Sequence, residues 1–89
     1  MNKKEEKIEL KDQDDVVRDV TDMVKKVLGD QVKYAAIKSI RDPEVEERNG
    51  GVVLNSEWDG EVSILFNNGA EISIFGSDYL SVLIKNKHQ

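Results

Sequence analysis

The chain has 89 residues, 18 acids against 13 Lys and Arg, one His and no Cys, giving a net charge of −5. That length fits one domain, in which about 60–65% of the unfolded chain's surface is buried and the stability is roughly 4–13 kcal/mol. Without Cys, a disulfide framework and a thiolate metal site are excluded, and a small unstapled domain of this kind is expected in a reducing, cytoplasmic setting.

The charge is unevenly spread. Residues 1–40 hold nine acids and nine bases, and residues 62–89 hold two of each. The imbalance lies in 41–61, where Asp42, Glu44, Glu46, Glu47, Glu57, Asp59 and Glu61 face only Arg41 and Arg48. A field of this sign repels phosphate backbones and attracts basic surfaces. The plainer reading of the run is a solvated acidic loop.

In chain order, residues 1–10 read as a flexible, charged lead-in in which Ile8 and Leu10 can form a short edge strand or pack under the first helix. The start Lys3-Lys4-Glu5-Glu6-Lys7 is not followed by the apolar stretch of a signal peptide. No run approaches the roughly 20 apolar residues of a membrane span, so a soluble chain is expected. Residues 13–28 carry the clearest helical pattern, because Val16, Val17, Val20, Met23, Val24, Val27 and Leu28 recur at three- and four-residue spacing. Asp12 is placed to cap that helix, Asp14 and Asp15 suit its positive end, Lys25 and Lys26 its negative end, and Gly29 a left-handed C-cap. Five valines lower the intrinsic propensity, so packing has to supply most of its stability.

Residues 31–40 fit a strand through Val32, Tyr34 and Ala36, or a helical face through Val32, Ala36 and Ile40; the turn at Gly29-Asp30 favours strand. Residues 41–51 read as an exposed, mobile connection, since Pro43 disfavours helix at Asp42 and Asn49-Gly50-Gly51 supplies turn chemistry. From 52 to 76 the pattern predicts a three-stranded meander. Its strands start at Val52, at Glu61 and at Glu71, with turns at Asp59-Gly60 and Asn67-Asn68-Gly69. Val62, Ile64, Phe66, Ile72 and Ile74 fall on one face; Ser63, Ser73, Leu65 and Phe75 fall on the other. Ser77 is expected to cap a short final helix with Tyr79, Leu80, Leu83 and Ile84 on its apolar side, before a tail at 87–89. The expected architecture is α+β: a long N-terminal amphipathic helix packed on a 3-4-stranded antiparallel meander, with a short C-terminal helix, in a single domain over 11–86. A small SH3-like barrel is the alternative arrangement of the same strands.

The chain offers little for covalent chemistry, and the expectation is that it is not an enzyme. His88, one residue from the C-terminus, lacks the fixed orientation and the partner that a general base requires. With no Cys and no second His, nucleophile–base pairs have no members. Asp12-x-Asp14 and Asp42-x-Glu44-x-Glu46 have oxygen spacing but not the ligand set of a calcium loop, so no metal and no cofactor is expected. Glu57 and Asp59 flank an exposed turn, with nothing to bury one of them and raise its pKa for acid–base work. The glycines fit no phosphate cradle. Trp58, Phe66 and Phe75 lie in or near the sheet, but 52–76 contains no Lys or Arg to line a nucleic-acid groove.

Recognition of another protein remains. Trp58 sits beside a turn among carboxylates, where full burial is hard, and Trp is enriched at interface hot spots. The expected role is a small interaction module, an adaptor or inhibitor, that presents Trp58, Asp59, Glu57, Glu44, Glu46 and Glu47 to a protein with a basic surface, without direct nucleic-acid or membrane contact. A self-associating structural domain, monomer or homodimer, pairing through an edge at 31–40 or 52–57, is the second class. An acidic nucleic-acid mimic is the third reading.

Overall fold

β-Branched residues pack better on a pleated sheet than on a helix, and this chain uses them that way. The computed structural model describes residues 15–86. The elements are β1 (Val16–Asp19), α1 (Thr21–Leu28), β2 (Val32–Ser39), β3 (Glu44–Arg48), β4 (Gly51–Ser56), β5 (Gly60–Phe66), β6 (Glu71–Gly76) and β7 (Leu80–Lys85). They form a four-stranded sheet, β1-β2-β5-β6, and a three-stranded sheet, β3-β4-β7, and every pairing is antiparallel. The expected lead-in at 1–10, Asp12, Asp14, and the tail 87–89 with His88 lie outside the described residues.

The α+β expectation is overturned: the described chain is mostly β, with one short helix. The long N-terminal helix fails in its first half. Val16 and Val17 pair with Ser39 and Lys38 of β2 instead. The Asp19 carboxylate then accepts bonds from the Thr21 N–H (2.9 Å) and the Thr21 hydroxyl (2.6 Å), which turns the chain into α1 only at Thr21. The Thr21 oxygen also accepts the Ala35 N–H (3.0 Å), tying that turn to β2. Eight residues are too few for a helix to stand alone; α1 persists because Val24 is buried and Met23, Val27 and Leu28 pack on the core. Gln31 donates to the Leu28 carbonyl (2.7 Å), and Gly29 leaves the helix at φ 94° and ψ −174°, a region that essentially only glycine reaches.

The expected C-terminal helix is a strand. Leu80, Val82 and Ile84 also recur at period two, and β4 stands beside them as a partner: Ser56↔Leu80, Leu54↔Val82 and Val52↔Ile84. A helix there would strip that face from β4. The expected meander over 52–76 is corrected as well. β4 pairs with β3 and β7, and β5 pairs with β2 and β6, so the chain changes sheets across 57–59.

That change needs a corner of small residues. Gly60 stands between Ser39 and Gly76 in register. A Cβ on Gly60 would lie 2.9 Å from both Cβ and Oγ of Ser56, and one on Gly76 would lie 2.7 Å from the Tyr79 carbonyl oxygen. The buried hydroxyls of Ser39 and Ser56 meet at 2.7 Å and join the two sheets. Away from this corner the inner faces share one core: Ala35, Ile37, Val62 and Ile64 from the larger sheet, Val52, Leu54, Leu80 and Val82 from the smaller, and Val20 and Val24 from around α1.

The segment 31–40 is a strand over Val32–Ser39, with Lys33 as the extra residue of a bulge between Val32 and Tyr34. The expected connection 41–51 contains β3. Asn49 (φ 46°) and Gly50 (φ 78°) form the two-residue turn, left-handed at both positions, that favours a hairpin. Acidic side chains do not prevent pairing when the strand lies at a sheet edge, and β3 does.

Candidate protein-binding groove

β3 and β4 carry the expected site residues, and strand alternation sorts them. Glu44 and Glu46 point away from the core, opposite Asn55 and Val53; Glu47 opposes Val52 and points to the helix side. There Lys26 of α1 meets Glu47 at 3.3 Å, while Arg48 meets Glu46 at 2.8 Å. Glu57, Trp58 and Asp59 form the connection between the sheets. The Ser56 hydroxyl donates to the Trp58 carbonyl (2.8 Å) and accepts the Trp58 N–H (3.3 Å), which fixes the backbone of that connection.

The connection 40–43 is tied to β1 by Arg18, whose guanidinium donates to the Asp42 carboxylate and to the Pro43 carbonyl, both at 3.4 Å. It brings Arg41 over the Trp58 ring, 5.1 Å from the centroid. This is within cation–π range. Trp58 is nevertheless 46% exposed and Tyr79 60% exposed.

A groove of about 390 Å³ opens here, lined by Arg41, Asp42, Glu44, Asn55, Glu57 and Tyr79. Four of the seven acids in 41–61 are in ion pairs: Asp42 with Arg18, Glu46 with Arg48, Glu47 with Lys26 and Glu61 with Lys38. Among the described residues, Glu44, Glu57 and Asp59 have no such partner, and Arg41 stacks on Trp58 rather than pairing with either groove glutamate. Exposed pairs of this kind are each worth about 0–1 kcal/mol, so their role is to cancel local field rather than to hold the fold.

Of the six expected binding residues, the structure therefore brings Glu44 and Glu57 into one groove with Trp58 at its side. Asp59 lines a different depression, with Asp15, Lys38, Glu61 and Phe75. Glu46 is turned to Arg48, and Glu47 belongs to the surface between α1 and β3. Glu57 and Asp59 do not face each other across a shared space. Sequence reasoning missed Tyr79 and Asn55. Tyr79 would have been visible had the period-two alternation of Leu80, Val82 and Ile84 been given to a strand, because it then ends a loop instead of lying on a helix; Asn55 would have been visible had 44–48 been given to a strand, which sets it opposite Glu44.

Among the described residues, no three His, Cys, Asp or Glu side chains are grouped to hold a metal ion, and no helix is long and apolar enough to cross a membrane. The Asp19 carboxyl is held below the usual carboxylate value by the Thr21 hydroxyl first and the Thr21 N–H second. It lies at the start of α1, away from the groove. No protein-family model, no curated protein and no solved structure matches the chain.

Proposed function

We propose that this chain is a non-catalytic interaction module that receives a basic segment of another protein in the groove between β3, β4 and the 57–59 and 77–79 connections. The observation that carries the reading is the pair of unneutralised carboxylates, Glu44 and Glu57, in one groove with an exposed Tyr79 and beside an exposed Trp58. Aromatic surface supplies contact area at low entropic cost, and carboxylates at its rim select for Lys and Arg. The ion pairing of Asp42, Glu46, Glu47 and Glu61 weighs against mimicry of a nucleic acid, which requires a continuous line of free negative charge.

Trp58 is the sole tryptophan and stacks against Arg41 of the groove lining, so its fluorescence reports on the groove through that contact. Titration with a Lys- and Arg-rich peptide is expected to shift that signal at low salt and to lose effect as the Debye length falls below about 10 Å. Glu44→Gln with Glu57→Gln is expected to weaken the response at least tenfold, and Glu46→Gln with Glu47→Gln to leave it within twofold. No response from the unmodified protein, or equal losses in the two double variants, refutes the reading.

A further inference from the structure

Sheet edges expose a row of unpaired N–H and C=O groups, and proteins usually blunt them with charges, Lys, Pro or bulges. β3, one edge of the smaller sheet, is charged at four of its five positions. β1, one edge of the larger sheet, carries Arg18 and Asp19. β7 ends on Lys85. β6, the other edge of the larger sheet, reads Glu-Ile-Ser-Ile-Phe-Gly, with no Lys, no Pro and no break in its register with β5. Ile72 is 46% and Phe75 70% exposed on it.

The hairpin before β6 determines which of its backbone groups are free. The Phe66 N–H bonds to the Ala70 carbonyl (2.8 Å) and the Gly69 N–H to the Phe66 carbonyl (3.0 Å), with Gly69 at φ 92°. This three-residue loop makes Phe66 and Ala70 a hydrogen-bonded pair. Such pairs alternate along an antiparallel ladder, and the register runs Leu65↔Glu71, Ile64↔Ile72, Ser63↔Ser73, Val62↔Ile74 and Glu61↔Phe75. Ile72 and Ile74 therefore spend their backbone bonds on β5, and Glu71, Ser73 and Phe75 aim theirs at the free edge.

We propose that the chain forms a homodimer by antiparallel pairing of β6 with β6 of a second copy, Ser73 opposite Ser73 on the two-fold axis, to give one continuous eight-stranded sheet. In that register the three outward-bonding residues of one copy meet the three of the other: Ser73 with Ser73, Glu71 with Phe75, and Phe75 with Glu71. It is also the register that keeps the faces matched, since Ile72 then lies beside Ile74 of the second copy on the core side. The strand's only charge meets a phenyl ring and not its own image. A shift of two residues centres the pairing on Ile74 and loses one of the three hydrogen-bonded pairs. The interface is isologous and closes, and the groove on the smaller sheet stays open, so this inference stands apart from the proposed function.

The experiment is light-scattering mass with cysteine cross-linking, which a chain without Cys makes clean. The unmodified protein is expected at twice the 10.1 kDa chain mass at high concentration, dissociating on dilution. Ser73→Pro, whose lost N–H is not one that β5 uses, is expected at the monomer mass with unchanged far-UV circular dichroism; Ser73→Lys gives the same result if the proline variant misfolds. Directly opposed residues have Cα atoms about 5.5 Å apart, inside disulfide range. Under mild oxidation Ser73→Cys is expected to form a disulfide dimer, and Phe75→Cys, which is distant from its own copy, is not. Any one of four results overturns the proposal: a monomer mass for the unmodified protein at its highest soluble concentration, a Ser73→Pro variant that still dimerises, Phe75→Cys cross-linking as readily as Ser73→Cys, or loss of the dimer in Leu83→Lys on β7.

Discussion

The buried hydroxyl pair of Ser39 and Ser56 joins the sheets at their corner, and its two members contribute unequally to stability. Ser56 Oγ sits among three groups: Ser39 Oγ at 2.7 Å, the Trp58 carbonyl at 2.8 Å and the Trp58 N–H at 3.3 Å. A hydroxyl has one proton. If Ser56 gives it to the Trp58 carbonyl, Ser39 must donate to Ser56. Ser56→Ala then leaves the buried Ser39 hydroxyl without its partner and loosens both backbone groups of Trp58, a loss of about 2–3 kcal/mol. Ser39→Ala removes one donor from an oxygen that keeps its other two partners, and costs about 0.5–1.5 kcal/mol. The double variant orphans nothing further at Ser39, so it should cost less than the two singles together, by about 1 kcal/mol. Urea unfolding followed by Trp58 fluorescence and far-UV circular dichroism measures all three, with unchanged m-values as the sign that the denatured states match. In a domain this small, the Ser56→Ala loss corresponds to a fall in Tm of roughly 10–20 °C. A Ser56→Ala cost under about 0.5 kcal/mol, or full additivity of the two singles, refutes the proton assignment and the inter-sheet role with it.

Gly60→Ala drives a methyl group to 2.9 Å from Ser56 and is expected to lose roughly 1–3 kcal/mol. Gly69 has open space around it but a φ of 92° that L side chains rarely adopt, so Gly69→Asn is expected to lose about 1 kcal/mol to backbone strain alone; a Gly60→Ala loss under about 0.5 kcal/mol in the same urea assay refutes the close approach at Gly60. Asp19 is held below its ordinary pKa by two bonds to Thr21, so its carboxylate form stabilises the folded state. That contribution is complete above the unfolded carboxylate value of about 3.9 and is lost as pH falls through the lowered folded value. The gap in urea midpoint between the unmodified protein and Asp19→Asn should be constant from about pH 7 to 5 and close below about pH 4; a gap that widens in acid refutes the assignment.

The strand patterns were legible where period two had no competitor. Val62, Ile64 and Phe66 on β5 and the Asn67-Asn68-Gly69 turn lie where alternation and turn chemistry put them. The long helix was misread because its apolar spacing serves both periods: Val16, Val17 and Val20 fit a helical stripe, yet β2 offered Val16 and Val17 a ladder. Val82 and Ile84 pose the same ambiguity, and the outcome depends on β4, thirty residues earlier in the chain. The meander failed for a related reason. Nearest-neighbour pairing is the usual outcome, and nothing between Ser56 and Gly60 announces a change of sheet until the steric need for Ser39, Ser56, Gly60 and Gly76 at one corner is seen in three dimensions.

The groove depends on a feature remote from its own side chains. The Asn49-Gly50 turn sets Arg48 opposite Gly51 and thereby Glu44 opposite Asn55. A loop of two residues leaves no slack, and a slip of one would send Glu44 to the core side and Glu47 outward. Glu47 would then lose Lys26, and the groove would keep Glu57 alone as its unpaired acid. The sequence displayed the acids and the Asn-Gly signal separately. Only read together, with the acidic stretch taken as an edge strand and not a loop, do they say which carboxylates face the same space.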